Sequence, residues 1–316
     1  MKPRYPRPLA AGDRIGVTSP SSGVGPDNRD RLDVALAYLV DRGFKVEVGD
    51  CMDGSTHVSA PAQERADELM WMLLDPAIRA VVPPWGGETG IDVLPLLNYA
   101  ALAEAEPTWF VGYSDTSTLL TPITLLAGWA TVHGSNLMDT RDDRPSRLHP
   151  WLDVATAPPG STVEQGGENW KRLDDRTGPV DATGRLIGGC IETLSPVSGT
   201  RYLDTGRLRG PGAEDLIVYV EAAEERAFAI CRSLHGMRLA GFFDGAAAIL
   251  VGRTGAPDEP TLSQDDAVRD ALGTLGVPVI ANVEFGHVPP QLTIVNGAIA
   301  HVRFAGDEQY FAQTLV

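Results

Sequence analysis

Residues 14–48 read RIGVTSPSSGVGPDNRDRLDVALAYLVDRGFKVEV, and this stretch decides the fold class. It opens with a short apolar strand from Arg14 that runs into a Ser/Gly/Pro loop. Between residues 28 and 42 apolar side chains recur at helical spacing, and Gly43 is placed to end that helix. A second strand is expected over residues 44–48. The pattern predicts a β-α-β unit, the building block of a parallel sheet.

The same alternation continues outward through residues 1–150, which predicts an N-terminal α/β domain with a parallel sheet flanked by helices. Its further elements are expected as a helix over 61–74, a strand over 78–82, a helical stretch over 91–104 and strands over 109–113 and 130–132. Proline and glycine then interrupt every period between about residues 144 and 183, which predicts a long loop, with residues 151–183 as a linker or substrate loop.

Short strands return after this segment, so residues 184–316 are expected to form a second, smaller and strand-rich α/β domain. The predicted strands cover residues 216–220, 247–251, 277–281 and 292–295, with a helix near 224–235.

Composition excludes several classes of protein. The 316 residues contain 26 Lys plus Arg and 42 Asp plus Glu, a formal net charge of −16, so a nucleic-acid polymer or an anionic membrane surface is not an expected partner. The sequence shows neither a secretory signal nor an apolar run of transmembrane length, and we expect a soluble cytoplasmic protein. Cys51, Cys190 and Cys231 are far apart and show no zinc spacing, so neither a disulfide framework nor a metal is expected.

Residues 110–117, FVGYSDTS, are the sharpest chemical feature, because a predicted strand runs into Ser114 and then into a helix. A serine at such a turn projects its hydroxyl above the sheet edge, and the amide of Asp115 points into the helix N-terminal pocket, where an oxyanion binds. Gly86 and Gly87, in the turn after the preceding strand, are candidates for the second oxyanion donor. Taken alone, the Ser114 motif is more often an ordinary helix cap, and the glycine turn is also compatible with a plain turn.

A serine nucleophile needs a base, and His287 is the first candidate among the six histidines because it follows a strand in a Gly/Pro turn. His133, at the end of another predicted strand, is its rival. Glu221 ends an apolar strand, where a carboxylate is costly unless paired, so it is the candidate acid that orients the base. Glu224 and Glu225 are expected in the solvated first turn of a helix. The sequence contains no HExxH pair and no glycine-rich nucleotide-binding motif.

Taken together, these residues resemble the LD-carboxypeptidase family of serine peptidases, which also contains the microcin C immunity peptidases. The resemblance extends over nearly the whole chain. It is carried by residues 12–20 (GDRIGVTSP), Gly86-Gly87, residues 112–116 (GYSDT), residues 184–189 (GRLIGG), Glu221 and Gly286-His287.

The resemblance implies a catalytic triad of Ser114, Glu221 and His287, with the amides of Gly87 and Asp115 as the oxyanion hole. It also implies an N-terminal domain with a parallel sheet, a smaller C-terminal domain, an active site at their interface and usually a homodimer. Neither a metal nor a cofactor is implied.

Two features favour the microcin immunity branch over the muropeptide LD-carboxypeptidases. The muropeptide enzymes resemble one another in a Gly-Gly-Asn-Leu segment, whereas residues 188–191 here read Gly-Gly-Cys-Ile. Trp170, in the long loop, is similar to an aromatic that the microcin group stacks on a nucleotide base, and its alternative role is that of a packed loop anchor. Trp85 and Gly86 are further candidates for substrate contact.

The expected function is hydrolysis of an amide bond in a small peptide or peptidyl-nucleotide, as in immunity or detoxification. Three alternatives stay open: release of terminal D-alanine from muropeptides, silent binding of a small peptide or nucleotide, and a glutamine-amidotransferase-like activity. The last would need a cysteine at position 114, which is serine.

Overall fold

The computed structural model describes residues 2–140, 145–210 and 212–315, which are built around two sheets. The helices and strands of the first half are β1 (Arg14–Val17), α1 (Arg29–Asp41), β2 (Lys45–Val48), α2 (Ala62–Leu74), β3 (Ile78–Val81), α3 (Tyr99–Glu104), β4 (Trp109–Gly112), α4 (Ser117–Ala127), β5 (Thr131–His133) and α5 (Trp151–Thr156). Those of the second half are β6 (Thr162–Gly166), β7 (Lys171–Arg172), β8 (Val180–Cys190), α6 (Ile191–Leu194), β9 (Leu216–Glu221), α7 (Ala227–Leu239), β10 (Ala246–Gly252), α8 (Gln264–Leu272), β11 (Val279–Val283), β12 (Ile294–Asn296), β13 (Ile299–Ala305) and β14 (Glu308–Thr314).

The first sheet has the strand order β12-β5-β4-β3-β1-β2. Strands β1 to β5 are parallel, which confirms the predicted architecture of the N-terminal half. The helix predicted over residues 28–42 is α1, and it buries Leu32, Ala35 and Leu39, which recur at helical spacing. This regular part of the fold follows directly from the hydrophobic pattern.

The edge strand β12 departs from the prediction, because it comes from the part of the chain assigned to the second domain. It pairs antiparallel with β5, placing Ile294 opposite His133. Strand β12 therefore extends the first sheet, although it lies within the part of the chain assigned to the C-terminal domain. The apolar residues of a short strand predict that the strand is buried. They do not predict which sheet it joins, since its backbone partner is far away in sequence.

The second sheet has the order β6-β14-β13-β8-β9-β10-β11-β7 and is mixed. Its centre, β8 to β11, is parallel, and the outer strands are antiparallel to their neighbours. The central strand β9 is buried along its whole length. Among the described residues, no helix has both the length and the apolar character needed to cross a membrane.

The segment predicted as a long loop and linker is largely ordered into elements. Residue 144 lies outside the described residues, but the following chain forms α5, β6, β7 and the start of β8. Pro150 caps the start of α5, while β6 and β7 are the edge strands of the second sheet. The loop prediction is wrong because proline and glycine here separate short elements whose partners, β14 and β11, lie far along the chain.

Residues 91–104 also differ from the single helical stretch that was predicted. They form 3-10 turns at Gly90–Asp92 and Leu94–Leu96, followed by the short helix α3. Pro95 has no amide hydrogen and cannot continue a helix begun before it. The side chain of Asn98 then accepts a hydrogen bond from the Ala101 amide at 3.0 Å and starts α3 afresh.

Helix α4 connects the two sheets and is buried along almost its whole length. It packs against β5 of the first sheet and β8 of the second. Gly189 in β8 permits this approach, since a Cβ atom there would lie 2.8 Å from Cβ of Ser117. Thr121 Oγ1 also donates to the carbonyl of Gly188 at 2.7 Å. The residues that precede α4 are thereby held in a defined position relative to the second domain.

Candidate active site

Ser114 lies at the turn between β4 and α4, where the sequence predicted a nucleophile. Its φ is +60°, a left-handed backbone conformation that residues other than glycine seldom adopt. The turn begins a 3-10 segment, Ser114–Thr116, that leads directly into α4. Strained serines at strand-to-helix turns present their hydroxyl above the end of the sheet, which is the geometry of a nucleophile elbow.

Glu221 and His287 form a hydrogen-bonded pair contributed by two segments of the second half of the chain. Glu221 ends β9 and is fully buried, and its Oε2 lies 2.7 Å from His287 Nδ1. Its other oxygen, Oε1, has no hydrogen-bond partner among the described residues. The imidazole of His287 therefore balances the buried negative charge of Glu221. The hydrogen bond to Glu221 keeps the proton on Nδ1 and leaves Nε2 available as a base.

Burial and charge act on His287 in opposite directions. Burial lowers the pKa of the imidazole, but the hydrogen bond and negative charge of Glu221, with smaller contributions from Glu192 and Asp139, hold the pKa above its ordinary value. The side chain is 23% exposed, so a ligand can reach it. The result is an accessible imidazole whose protonated form is stabilised.

Ser114 and His287 line the same cavity, of about 460 Å³, between the two halves of the chain. Within the described part of the chain, Ser114 Oγ makes no hydrogen bond to His287. Catalytic hydrogen bonds are often long before substrate binds and tighten in the complex, so this geometry is compatible with a nucleophile and its base. Ser114 and His287 thus share one cavity, and Glu221, which is not among its described lining residues, contacts His287 from behind.

The candidate oxyanion residues lie beside Ser114. A Cβ atom at Gly86 would lie 3.1 Å from Ser114 Oγ and 3.2 Å from the Asp115 amide nitrogen, so the glycine keeps the space above the nucleophile open. Gly87 lines the same cavity. The buried carboxylate of Asp115 accepts hydrogen bonds from Ser21 Oγ at 2.5 Å and the Gly90 amide at 2.7 Å, which anchors the turn that carries its own amide.

Tyr113 and Asp139 belong to the site although sequence reasoning missed them. The ring of Tyr113 lies 4.9 Å, centroid to centroid, from that of His287, and its hydroxyl donates to Asp139 Oδ2 at 3.1 Å. Asp139 is held in turn by Arg31 at 2.5 Å. The position of Tyr113 beside the nucleophile was a usable signal, whereas Arg31 and Asp139 meet only in the folded chain.

His133, the rival base, is not a lining residue of the cavity among those described. It is buried against the rings of Tyr219 and Phe285, at 5.2 and 6.3 Å between centroids. Burial, followed by repulsion from His287, lowers the pKa of His133 to about 3. It is therefore a neutral core histidine below the site.

The two tryptophans expected to contact substrate have different positions. Trp85 lines the cavity, and its indole N–H is held by the carbonyls of Ser22 and Gly23 at 3.2 and 3.0 Å. Trp170 is only 5% exposed and is not among the lining residues, and its indole N–H donates to Glu284 Oε2 at 2.7 Å. This position matches the packed loop anchor, which was the alternative role for Trp170, and the stacking role stays a prediction.

The cavity is strongly acidic. Its described lining residues include no lysine or arginine, and the carboxylates among them are Glu88, Asp139, Glu192, Glu224 and Glu225. Burial raises the pKa of Glu88, and the negative charges of Asp115, Glu224 and Glu225 add to that effect. Glu88, Glu224 and Glu225, which form the rim of the cavity, therefore repel one another. Their negative charges also disfavour an anionic ligand at this rim.

Glu192 is a further residue that the sequence did not single out. Its Oε1 accepts hydrogen bonds from the amides of residues 223, 224 and 225 at 2.8, 3.1 and 3.2 Å. Its Oε2 accepts the thiol of Cys190 at 3.3 Å. Burial, reinforced by nearby carboxylates that include Glu221, raises the pKa of Cys190 well above its ordinary value, so this cysteine is a protonated thiol rather than a nucleophile.

Two family models match the chain. The LD-carboxypeptidase N-terminal domain matches residues 15–134, and the LD-carboxypeptidase C-terminal domain matches residues 183–302. The chain belongs to the LD-carboxypeptidase family. The resemblance drawn from the sequence motifs is confirmed, and the LD-carboxypeptidase models cover both halves that contribute to the cavity.

Individual relatives agree with this assignment. The probable murein peptide carboxypeptidase of Bacillus subtilis is 28% identical over 313 residues, covering 95% of this chain and 92% of that protein. The microcin C7 self-immunity protein MccF of Escherichia coli is 26% identical over 336 residues, covering 96% and 94%. A solved structure of MccF in complex with aspartyl sulfamoyl adenosine has a TM-score of 0.83 at 22% identity and covers 99% of this chain and 98% of that one, which shows a shared fold.

Proposed function

We propose that the protein is a serine hydrolase with a triad of Ser114, His287 and Glu221, and that it cleaves an amide bond in a small peptide or peptidyl-nucleotide. The observation that carries the proposal is the joint presence, in one cavity, of a serine at φ +60° and an imidazole hydrogen-bonded to a buried glutamate. The strain at Ser114 and the buried charge at Glu221 both cost stability, which favours a catalytic role over simple packing.

In the proposed mechanism, Nε2 of His287 takes the hydroxyl proton of Ser114 while Oγ attacks the substrate carbonyl carbon. Glu221 holds Nδ1–H and stabilises the imidazolium that forms. The amides of Gly87 and Asp115 donate to the oxygen of the tetrahedral intermediate. His287 then gives the proton to the departing amine. A water molecule, deprotonated by His287, attacks the acyl-enzyme, and His287 passes that proton to Ser114 Oγ as the acid leaves.

Two observations favour a peptidyl-nucleotide as the substrate. The relative MccF, which spans nearly the whole chain, has a solved structure in complex with aspartyl sulfamoyl adenosine, and a cavity of about 460 Å³ is large enough for a small ligand. The branch is also supported by Cys190 in place of an asparagine, but not by Trp170, which is packed away from the cavity.

A muropeptide substrate is the second candidate, because the B. subtilis relative at 28% identity is named as a murein peptide carboxypeptidase. Both substrates bring negative charge to the acidic rim, the nucleotide conjugate through its phosphate or sulfamoyl group and the muropeptide through its carboxylates. We also propose the homodimer implied by the family resemblance, which sedimentation equilibrium of the purified protein tests directly.

A paired hydrolysis assay read by mass spectrometry tests the function. Purified protein receives an L,D-linked muropeptide tetrapeptide and a peptidyl-adenylate analogue, with Ser114→Ala as the blank. Cleavage of the conjugate alone supports the first candidate, and release of D-alanine alone supports the second. Binding without turnover of either compound would contradict the hydrolase proposal and favour a silent binding protein.

A further inference from the structure

A cluster of three different side chains lies outside the catalytic cavity, where helices α7 and α8 pack side by side. Cys231 and His235 are one turn apart on α7, and Asp270 lies on α8. Their donor atoms, Sγ, Nε2 and a carboxylate oxygen, all lie within 4.8 Å of one another. We propose that Cys231, His235 and Asp270 form a binding site for a zinc-class divalent cation that joins α7 to α8.

The geometry of the cluster is close to that of a metal site. His235 Nε2 lies 2.8 Å and Cys231 Sγ lies 3.4 Å from the same oxygen, Oδ2 of Asp270. With usual zinc–ligand lengths, tetrahedral geometry separates such donor atoms by about 3.4–3.6 Å. The contacts of His235 and Cys231 both end on Oδ2 of Asp270. Small rotamer changes that move the imidazole and the carboxylate apart therefore make room for an ion between the three donor atoms.

The donor set indicates the class of ion. Thiolate and imidazole ligands favour zinc and its neighbours in the transition series, whereas magnesium and calcium prefer oxygen ligands alone. Cys231 gives up its thiol proton to the solvent when the sulfur–metal bond forms, and His235 binds as the neutral imidazole. Three protein ligands leave the fourth tetrahedral position to water, which a site at the surface permits.

The surroundings are compatible with a cation. Asp270 supplies a negative charge, while the nearby positive charge of Arg232 opposes binding. Arg238 is directed elsewhere, since it donates to the Ala271 carbonyl at 2.8 Å and to Thr274 Oγ1 at 3.1 Å. Helix α7 begins just after the cavity rim at residues 223–225, so an ion that clamps α7 to α8 also steadies that rim.

The spacing of the three ligands along the chain explains why the sequence does not predict this site. The Cys-x-x-x-His spacing on α7 places two ligands on one helix face, but it is not one of the usual zinc patterns. The third ligand arrives 35 residues after His235, through the packing of a different helix.

Cobalt substitution tests the site because Co²⁺ bound to a thiolate gives a charge-transfer absorption that nitrogen and oxygen ligands do not give. The measurement uses Ser114→Ala protein, so that the result is independent of the proposed hydrolase activity. We expect one equivalent of Co²⁺ to produce the band, Zn²⁺ to displace it, and Zn²⁺ to raise the thermal midpoint. Cys51 and Cys190 are 5% and 0% exposed, so Cys231 is the accessible thiol.

Four variants assign the ligands. Cys231→Ser should abolish the band, and His235→Gln and Asp270→Asn should each weaken binding by at least about tenfold. The matched control is His301→Gln: His301 also lies 2.8 Å from an aspartate, Asp181, with similar exposure, but it has no cysteine beside it. The control should bind as the parent protein does. Absence of the band in the parent, its persistence in Cys231→Ser, or unchanged affinity in both other ligand variants would overturn the proposal.

Discussion

His287 Nδ1 lies 2.7 Å from Oε2 of Glu221, and this pair joins the end of β9 to the loop after β11. The carboxylate is fully buried while the imidazole faces the cavity. A buried negative charge next to an accessible imidazole both orients the ring and raises its affinity for a proton. The pH dependence of the proposed reaction follows from this relationship.

We expect Glu221→Gln to shift the acidic limb of the kcat/KM profile to lower pH and to reduce kcat by about 10⁴-fold. The base must be neutral, so activity rises with pH through the pKa of His287. Burial lowers that pKa and Glu221 raises it, with a net increase, so removal of the charge lets the effect of burial dominate. A profile whose limb stays in place would contradict the pairing.

Ser114→Ala should reduce turnover by about 10⁴- to 10⁶-fold while changing the free energy of unfolding by less than about 1 kcal/mol. The substitution removes one hydroxyl from a residue that lines the cavity, so little packing is lost. Ser22→Ala is the matched control, because Ser22 lines the same cavity but donates to the His57 carbonyl at 2.8 Å. Activity and urea unfolding are measured on both variants, and substantial turnover in Ser114→Ala would exclude the triad.

Trp170→Phe should destabilise the protein by about 1–3 kcal/mol without discriminating between nucleotide and muropeptide substrates. The change removes the indole donor and leaves Glu284, which is 2% exposed, without its 2.7 Å hydrogen bond. The Glu168 amide, at 2.6 Å, still donates to the other oxygen of Glu284. Denaturant unfolding and kcat/KM for both substrates decide the matter. Unchanged stability with a selective loss on the nucleotide would restore a stacking role.

Neutralising the rim should favour anionic substrates. We expect Glu224→Gln and Glu225→Gln each to raise kcat/KM for a peptidyl-nucleotide by about threefold at low salt, since a single charge at this range contributes below about 1 kcal/mol. The gain should shrink as salt screens the rim. Glu64→Gln, at an exposed position outside the cavity lining, is the control and should show no gain. Equal, salt-independent effects in all three variants would show that the rim field does not act on the substrate.

Local patterns predicted much of this protein. The apolar period of α1, the buried strand β9 and the turn at Ser114 are encoded within short windows, because helix and strand periodicity arises from neighbouring residues. Short windows of sequence could not predict the strands within residues 144–183, because β6 and β7 pair with strands about one hundred or more residues away. Pro95 also interrupts the single helical stretch predicted over residues 91–104.

The sequence by itself therefore determined the β-α-β framework, the family and the identities of Ser114, Glu221 and His287 as candidates. Only the tertiary structure decided that Glu221 contacts His287 and that His133 and Trp170 are buried away from the cavity. It also decided that Asp270 meets Cys231 and His235. The physical reason is that contacts between distant segments depend on how whole elements pack, and a side chain's neighbours across a sheet or between helices leave no periodic trace in its own stretch of chain.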